Sequence, residues 1–102
     1  MEHEYLTITL TGRPPVRIVK REWPKIADAT WHDGQIFSQS HRRRFLNVRQ
    51  HADGRTIVYG IYDTDYPGET TRRGGEVLLA GEDIAATVYR VAAYLEFDRS
   101  FA

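Results

Sequence analysis

Four histidines (His3, His32, His41, His51) and four aspartates (Asp33, Asp53, Asp63, Asp65) are the side chains of this sequence suited to holding a metal. Zinc needs three or four such groups to converge. Neither the i, i+4 histidine pair of a metal-binding helix nor the paired spacing of a zinc finger occurs. These residues read as solvated loop positions, and no metal or other cofactor is expected. Nucleophilic chemistry fares no better: the chain has no cysteine. Its serines come near a histidine only in Ser38-Gln39-Ser40-His41, outside any nucleophile-elbow pattern. Asp63 and Asp65 flank Thr64 on one side, as paired carboxylates would, but lack an acid/base partner and fit turn chemistry. Arg72-Arg73-Gly74-Gly75 offers donors on pliant backbone without the spacing of a phosphate-binding loop. The expectation is a protein that is not an enzyme.

Arginine with aromatics is the more telling set. If Asp53-Gly54 are the two loop residues of a hairpin, Arg43, Phe45, Arg49, His51 and Tyr62 share one sheet face, with Arg42, Arg72 and Arg73 near its rim. Aromatics on a sheet can stack bases while arginines neutralise phosphates. The same residue types anchor protein interfaces. A purely structural reading also exists, in which Phe45 and Tyr62 form a cross-strand pair and Arg49 and His51 are solvated or covered by the first hairpin. The 14 basic and 14 acidic residues cancel, which favours a protein partner over nucleic acid, where phosphate neutralisation dominates affinity. The expected partner-binding residues are therefore Arg43, Phe45, Arg49, His51, Tyr62, Arg72 and Arg73. A nucleic-acid-binding module using the same face is the alternative.

The 102 residues suit one domain spanning 1–102, with 41% hydrophobic and 27% charged residues typical of globular chains rather than disordered ones. No apolar run approaches membrane-span length, and the start of the chain has no signal-peptide pattern. With cysteine absent, this fits a cytoplasmic protein. The stretch from His41 to Arg73 is mildly basic and Glu76 to Asp98 acidic. Arginine far outnumbers lysine, which suits carboxylate or phosphate recognition and equally a GC-rich genome.

The elements that must position these side chains follow from periodicity. Tyr5 to Thr11 alternates, with Leu6, Ile8 and Leu10 on one face; Gly12-Arg13-Pro14-Pro15 is turn material; Val16 and Ile18 resume the alternation. Glu22 to Ala29 reads as a short helix, with Pro24 at its first position and Trp23, Ile26, Ala27 and Thr30 on one side. Two alternating runs around Asp53-Gly54 predict a hairpin with Leu46, Val48, Ile57, Tyr59 and Ile61 facing the core. Residues 63–75 read as a mobile loop and 76–80 as a short strand. From Ile84 onward, Val88, Val91, Ala92 and Leu95 continue one apolar helical stripe, with Glu82 and Asp83 in the first turn. The predicted order is β-β-α-β-β-(β)-α: a two-layer α+β domain in which an antiparallel sheet of four to five strands carries two helices on one face. The expected core comprises Leu6, Ile8, Leu10, Val16, Ile18, Leu46, Val48, Ile57, Tyr59, Ile61, Ile84, Val88, Val91 and Leu95. An exposed sheet edge leaves both monomer and homodimer open.

The segments LTITLTGRPPV, EWPKIADATWHDG and VRQHADGRTIVYG resemble small uncharacterised proteins of proteobacterial genomes and their mobile elements. That resemblance carries no catalytic residue. It implies a setting, in which phage and plasmid accessory proteins, anti-CRISPR proteins among them, bind and inhibit host machinery.

Overall fold

The computed structural model describes residues 4–32 and 42–95, with the backbone but not the side chains of residues 31 and 32. Ser38, Ser40, Asp33, His3 and His41, considered above for chemistry, lie outside the described residues.

Two strands open the chain, β1 (Tyr5–Leu10) and β2 (Arg13–Val19), paired antiparallel with an irregularity between Ile8 and Leu10. A 3-10 turn over Lys20–Glu22 leads into β3 (Lys25–His32). Then come β4 (Arg42–Gln50), β5 (Thr56–Thr64), β6 (Arg72–Leu78) and a helix, α1 (Ile84–Tyr94). β3 to β6 form one antiparallel meander in the order β3-β4-β5-β6. The α+β class with antiparallel sheet holds. Its layering differs from the expectation, because the β1–β2 hairpin packs on one face of the meander and α1 on the other.

The helix expected over 22–29 is a strand. Lys25 to His32 runs along β4, and Pro24 accepts the Gln50 N–H at 3.1 Å, opening that ladder. Helix propensity differences of a few tenths of a kcal/mol per residue lose to a whole row of sheet hydrogen bonds. Trp23 turns into the core, whereas Ile26, expected beside it, is 53% exposed. Among the described residues α1 is the one α-helix. The loop expected over 63–75 shrinks, since β5 runs to Thr64 and β6 begins at Arg72, replacing the strand expected over 76–80.

The decisive correction concerns register. Gln50 pairs with Thr56, Val48 with Val58, Leu46 with Gly60 and Arg44 with Tyr62. The loop is Ala52-Asp53-Gly54, closed by His51 N–H to Arg55 C=O (2.9 Å) and Gly54 N–H to His51 C=O (2.9 Å). Gly54 adopts φ +97°, the left-handed residue that ends a three-residue hairpin loop. One residue more than the expected two-residue turn slides β5 by one and exchanges its faces.

Two cores result, one on each side of the meander. Beneath α1 lie Leu46, Val48, Val58, Tyr62, Leu78, Val91 and Leu95, with Ile84, Val88 and Ala92 against them. Beneath the hairpin lie Ile8, Leu10, Ile18, Trp23 and Ile57, with Leu6, Val16 and Tyr59 alongside. The expected joint face of Leu46 and Val48 with Ile57, Tyr59 and Ile61 is thus split across the sheet. Asp83, expected inside the first helical turn, precedes it as the cap: its carboxylate accepts the Ala86 N–H at 3.1 Å.

Candidate functional site

The register decides which candidate residues meet. Arg43, Phe45 and Arg49 stay on the hairpin side of the sheet with Arg73, which pairs with Ile61. Tyr62 and Arg72, paired with each other, lie on the helix side. His51 sits past the end of β4, its ring 5.1 Å from Trp23 in edge-on contact. The seven residues expected on or around one face are therefore distributed over both faces and the turn.

Most of their charge is engaged within the fold. Arg49 donates to the Tyr59 hydroxyl (2.9 Å) and to the Trp23 carbonyl (3.0 Å), tying the 3-10 segment to the sheet. Arg43 binds Asp63 (2.8 Å) and Asp65 (3.3 Å), which hold its guanidinium above its ordinary pKa. Arg72 donates to the Tyr94 carbonyl at 3.0 Å and stacks on that ring. Arg44 is buried at 4% exposure with its guanidinium carbon 4.6 Å from the Tyr62 ring centroid, an arrangement a one-residue slip would abolish.

Glu69 gathers the far end of β4 and β5. Arg42 Nε lies 3.1 Å from Glu69 Oε1, its Nη2 reaches Oε2, and the Thr64 and Tyr62 hydroxyls donate at 2.6 and 3.0 Å. The Arg42 and Thr64 hydrogen bonds hold the Glu69 carboxyl down to about 2. Burial, then the Glu69 carboxylate, pushes the Tyr62 phenol up. The Glu69 and Asp63 carboxylates thus accept hydrogen bonds from neighbouring side chains of the fold. Among the described residues no three His, Asp or Glu side chains gather as a metal site.

Arg73 differs from its neighbours. It is exposed and forms no hydrogen bond or ion pair among the described residues. It borders a groove of about 410 Å³ between the hairpin and the face of the sheet. Phe45, Tyr59 and Ile61 form a half-buried floor, Asn47 adds an amide, and Thr7 and Thr9 of β1 make the wall. Among the described residues, no acid lines it.

That wall is a strand edge. The Lys20 N–H donates to the Glu4 carbonyl at 2.9 Å, so Leu6–Ile18 and Ile8–Val16 are the hydrogen-bonded pairs of the ladder. Thr7, opposite Arg17, lies between them and turns its N–H and C=O away from β2. Further along, the Thr11 N–H bonds the Gly75 carbonyl (2.9 Å) and the Gly75 N–H bonds the Thr11 hydroxyl (3.1 Å), clasping β1 to β6. Before that clasp, among the described residues, no backbone group from outside β2 bonds Thr7 or Thr9. Sequence reasoning missed Thr7, Thr9, Asn47 and Ile61 because their significance depends on the hairpin folding over the sheet. The clean Thr7/Thr9 alternation was the available signal.

A scan against protein-family models finds no match, and neither a search of curated proteins nor one of solved structures finds a relative.

No helix among the described residues is long and apolar enough to cross a membrane.

Proposed function

We propose that this chain is a non-enzymatic, cytoplasmic protein-binding module whose contact surface is the groove between β1 and the β4–β6 face. The observation that carries the reading is Arg73, a cation with no ion pair or hydrogen bond among the described residues, beside an aromatic and aliphatic floor that no described acid lines. Arginine and aromatic side chains in a recess are the usual anchors of protein interfaces. The ion pairs of Arg42, Arg43, Arg55 and Arg90 with Glu69, Asp63, Asp53 and Glu76 argue against the nucleic-acid alternative, since cations bound to carboxylates neutralise few phosphates. The resemblance to mobile-element proteins supplies the setting, an inhibitor or regulator of host machinery of the anti-CRISPR kind.

The test is affinity capture from a proteobacterial lysate with the full chain, followed by reconstitution with the captured protein. A Thr9→Arg/Arg73→Glu variant, which leaves both cores untouched, should unfold at the same temperature and lose the partner. A partner retained by that variant rules out the groove. Steeply salt-dependent binding to single-stranded DNA or RNA would favour the alternative.

A further inference from the structure

Resting on the protein-binding reading, we infer that the groove takes an extended peptide, which adds as a strand to the free edge of β1 and sets a carboxylate against Arg73. Three observations converge. First, Thr7 presents an outward N–H and C=O, and hydrogen bonds to a strand edge supply affinity without regard to sequence. Second, up to the irregularity between Ile8 and Leu10 the edge carries no charged residue and no proline. β3 shows the contrast: its outer-strand residues Lys25 and Asp28 carry charges in a 2.7 Å ion pair, whereas Thr7 and Thr9 are uncharged and strand-favouring. Third, the recess is polarised: among the described residues Arg73 is the one cation of its lining and no acid joins it.

The geometry also sets the pattern of the peptide. Side chains alternate along a strand, so every second residue would turn down onto Phe45 and Ile61 and the others toward solvent. β-Branched or aromatic residues suit the inward positions, and Asp or Glu suits the one reaching Arg73. The recess lies between β1 and the β3–β6 meander, and its one strand edge suits a single extended segment.

The test is selection of phage-displayed random heptapeptides on the immobilised full chain, with synthetic versions of the winners titrated by fluorescence polarisation. The expected result is an acidic residue fixed in register with alternating β-branched or aromatic residues. N-methylation of every second peptide amide should abolish binding while methylation of the intervening amides is tolerated. The Thr7 amide should exchange more slowly in the complex. Arg73→Glu should weaken the acidic peptides about tenfold or more, as loss of a charged hydrogen bond requires, and select basic ones instead. The inference fails if a folded chain enriches no peptide, if N-methylation is without pattern, if Arg73→Glu keeps the acidic preference, or if sedimentation shows a second copy occupying the groove. In those cases a protein captured through the groove and lost in Thr9→Arg/Arg73→Glu leaves the broader reading standing. Conversely, register-specific peptides without a captured protein would uphold strand addition and remove the claim of a host partner.

Discussion

Gly60 lies against Leu95 so closely that a Cβ on the glycine would stand 2.7 Å from the leucine Cδ1, and 2.1 Å from the Phe45 carbonyl oxygen. The absence of a side chain lets α1 settle on the sheet where β5 is flanked by β4. Gly60→Ala should destabilise by about 3 kcal/mol, the range of overpacking that backbone must absorb. Urea unfolding followed by tryptophan fluorescence measures it, and a loss below about 1 kcal/mol would mean the helix is not seated there.

The three-residue loop fixes the faces of β5, and shortening it tests the register. Deleting Ala52 leaves Asp53-Gly54 as a two-residue turn and would move Val58 and Tyr62 off the helix-side core. The expected outcome is loss of cooperative unfolding and of dispersed amide chemical shifts. A deletion variant that melts like the parent would show that the slipped pairing is acceptable.

Arg49 is a structural strut. Arg49→Ala removes the hydrogen bonds to the Tyr59 hydroxyl and the Trp23 carbonyl, and a loss of about 1–3 kcal/mol is expected for charged hydrogen bonds in a half-buried setting. Thermal denaturation reads this directly. An unchanged melting temperature would release Arg49 for contact with a partner.

Glu69 predicts acid sensitivity. Its folded-state pKa of about 2 lies below the ordinary 4.5, so its contribution is fully present above pH 4.5 and is lost as pH falls toward 2. Stability of the parent should decline through that window more steeply than that of Glu69→Gln. Parallel slopes for the two proteins would show that the Arg42 and Thr64 contacts do not hold in solution.

Much of this fold is legible in the residues. The Leu6/Ile8/Leu10 alternation, the Asp53-Gly54 turn and the Ile84–Leu95 stripe each register a local rule, and each element formed. β3 escaped notice because Trp23-Pro24 imitates a helix start, while its reason for being a strand is the bare edge of β4, far along the chain. The candidate site was legible only in part: Arg43, Phe45, Arg49 and Arg73 share a side of the sheet as strand periodicity allows. Tyr62 and Arg72 left that side when the register moved.

By itself the sequence determined that strands form here and that a turn separates them, because alternation and turn chemistry act over a few neighbouring residues. It did not determine the face. β5 reads Thr56-Ile57-Val58-Tyr59-Gly60-Ile61-Tyr62, apolar on both sides because both are covered, so periodicity offers no preference between a loop of two residues and one of three. Packing decided, by placing Val58 and Tyr62 under α1 and Ile57 and Tyr59 under the hairpin. That choice left Arg73 beside the groove and the edge of Thr7 open to it.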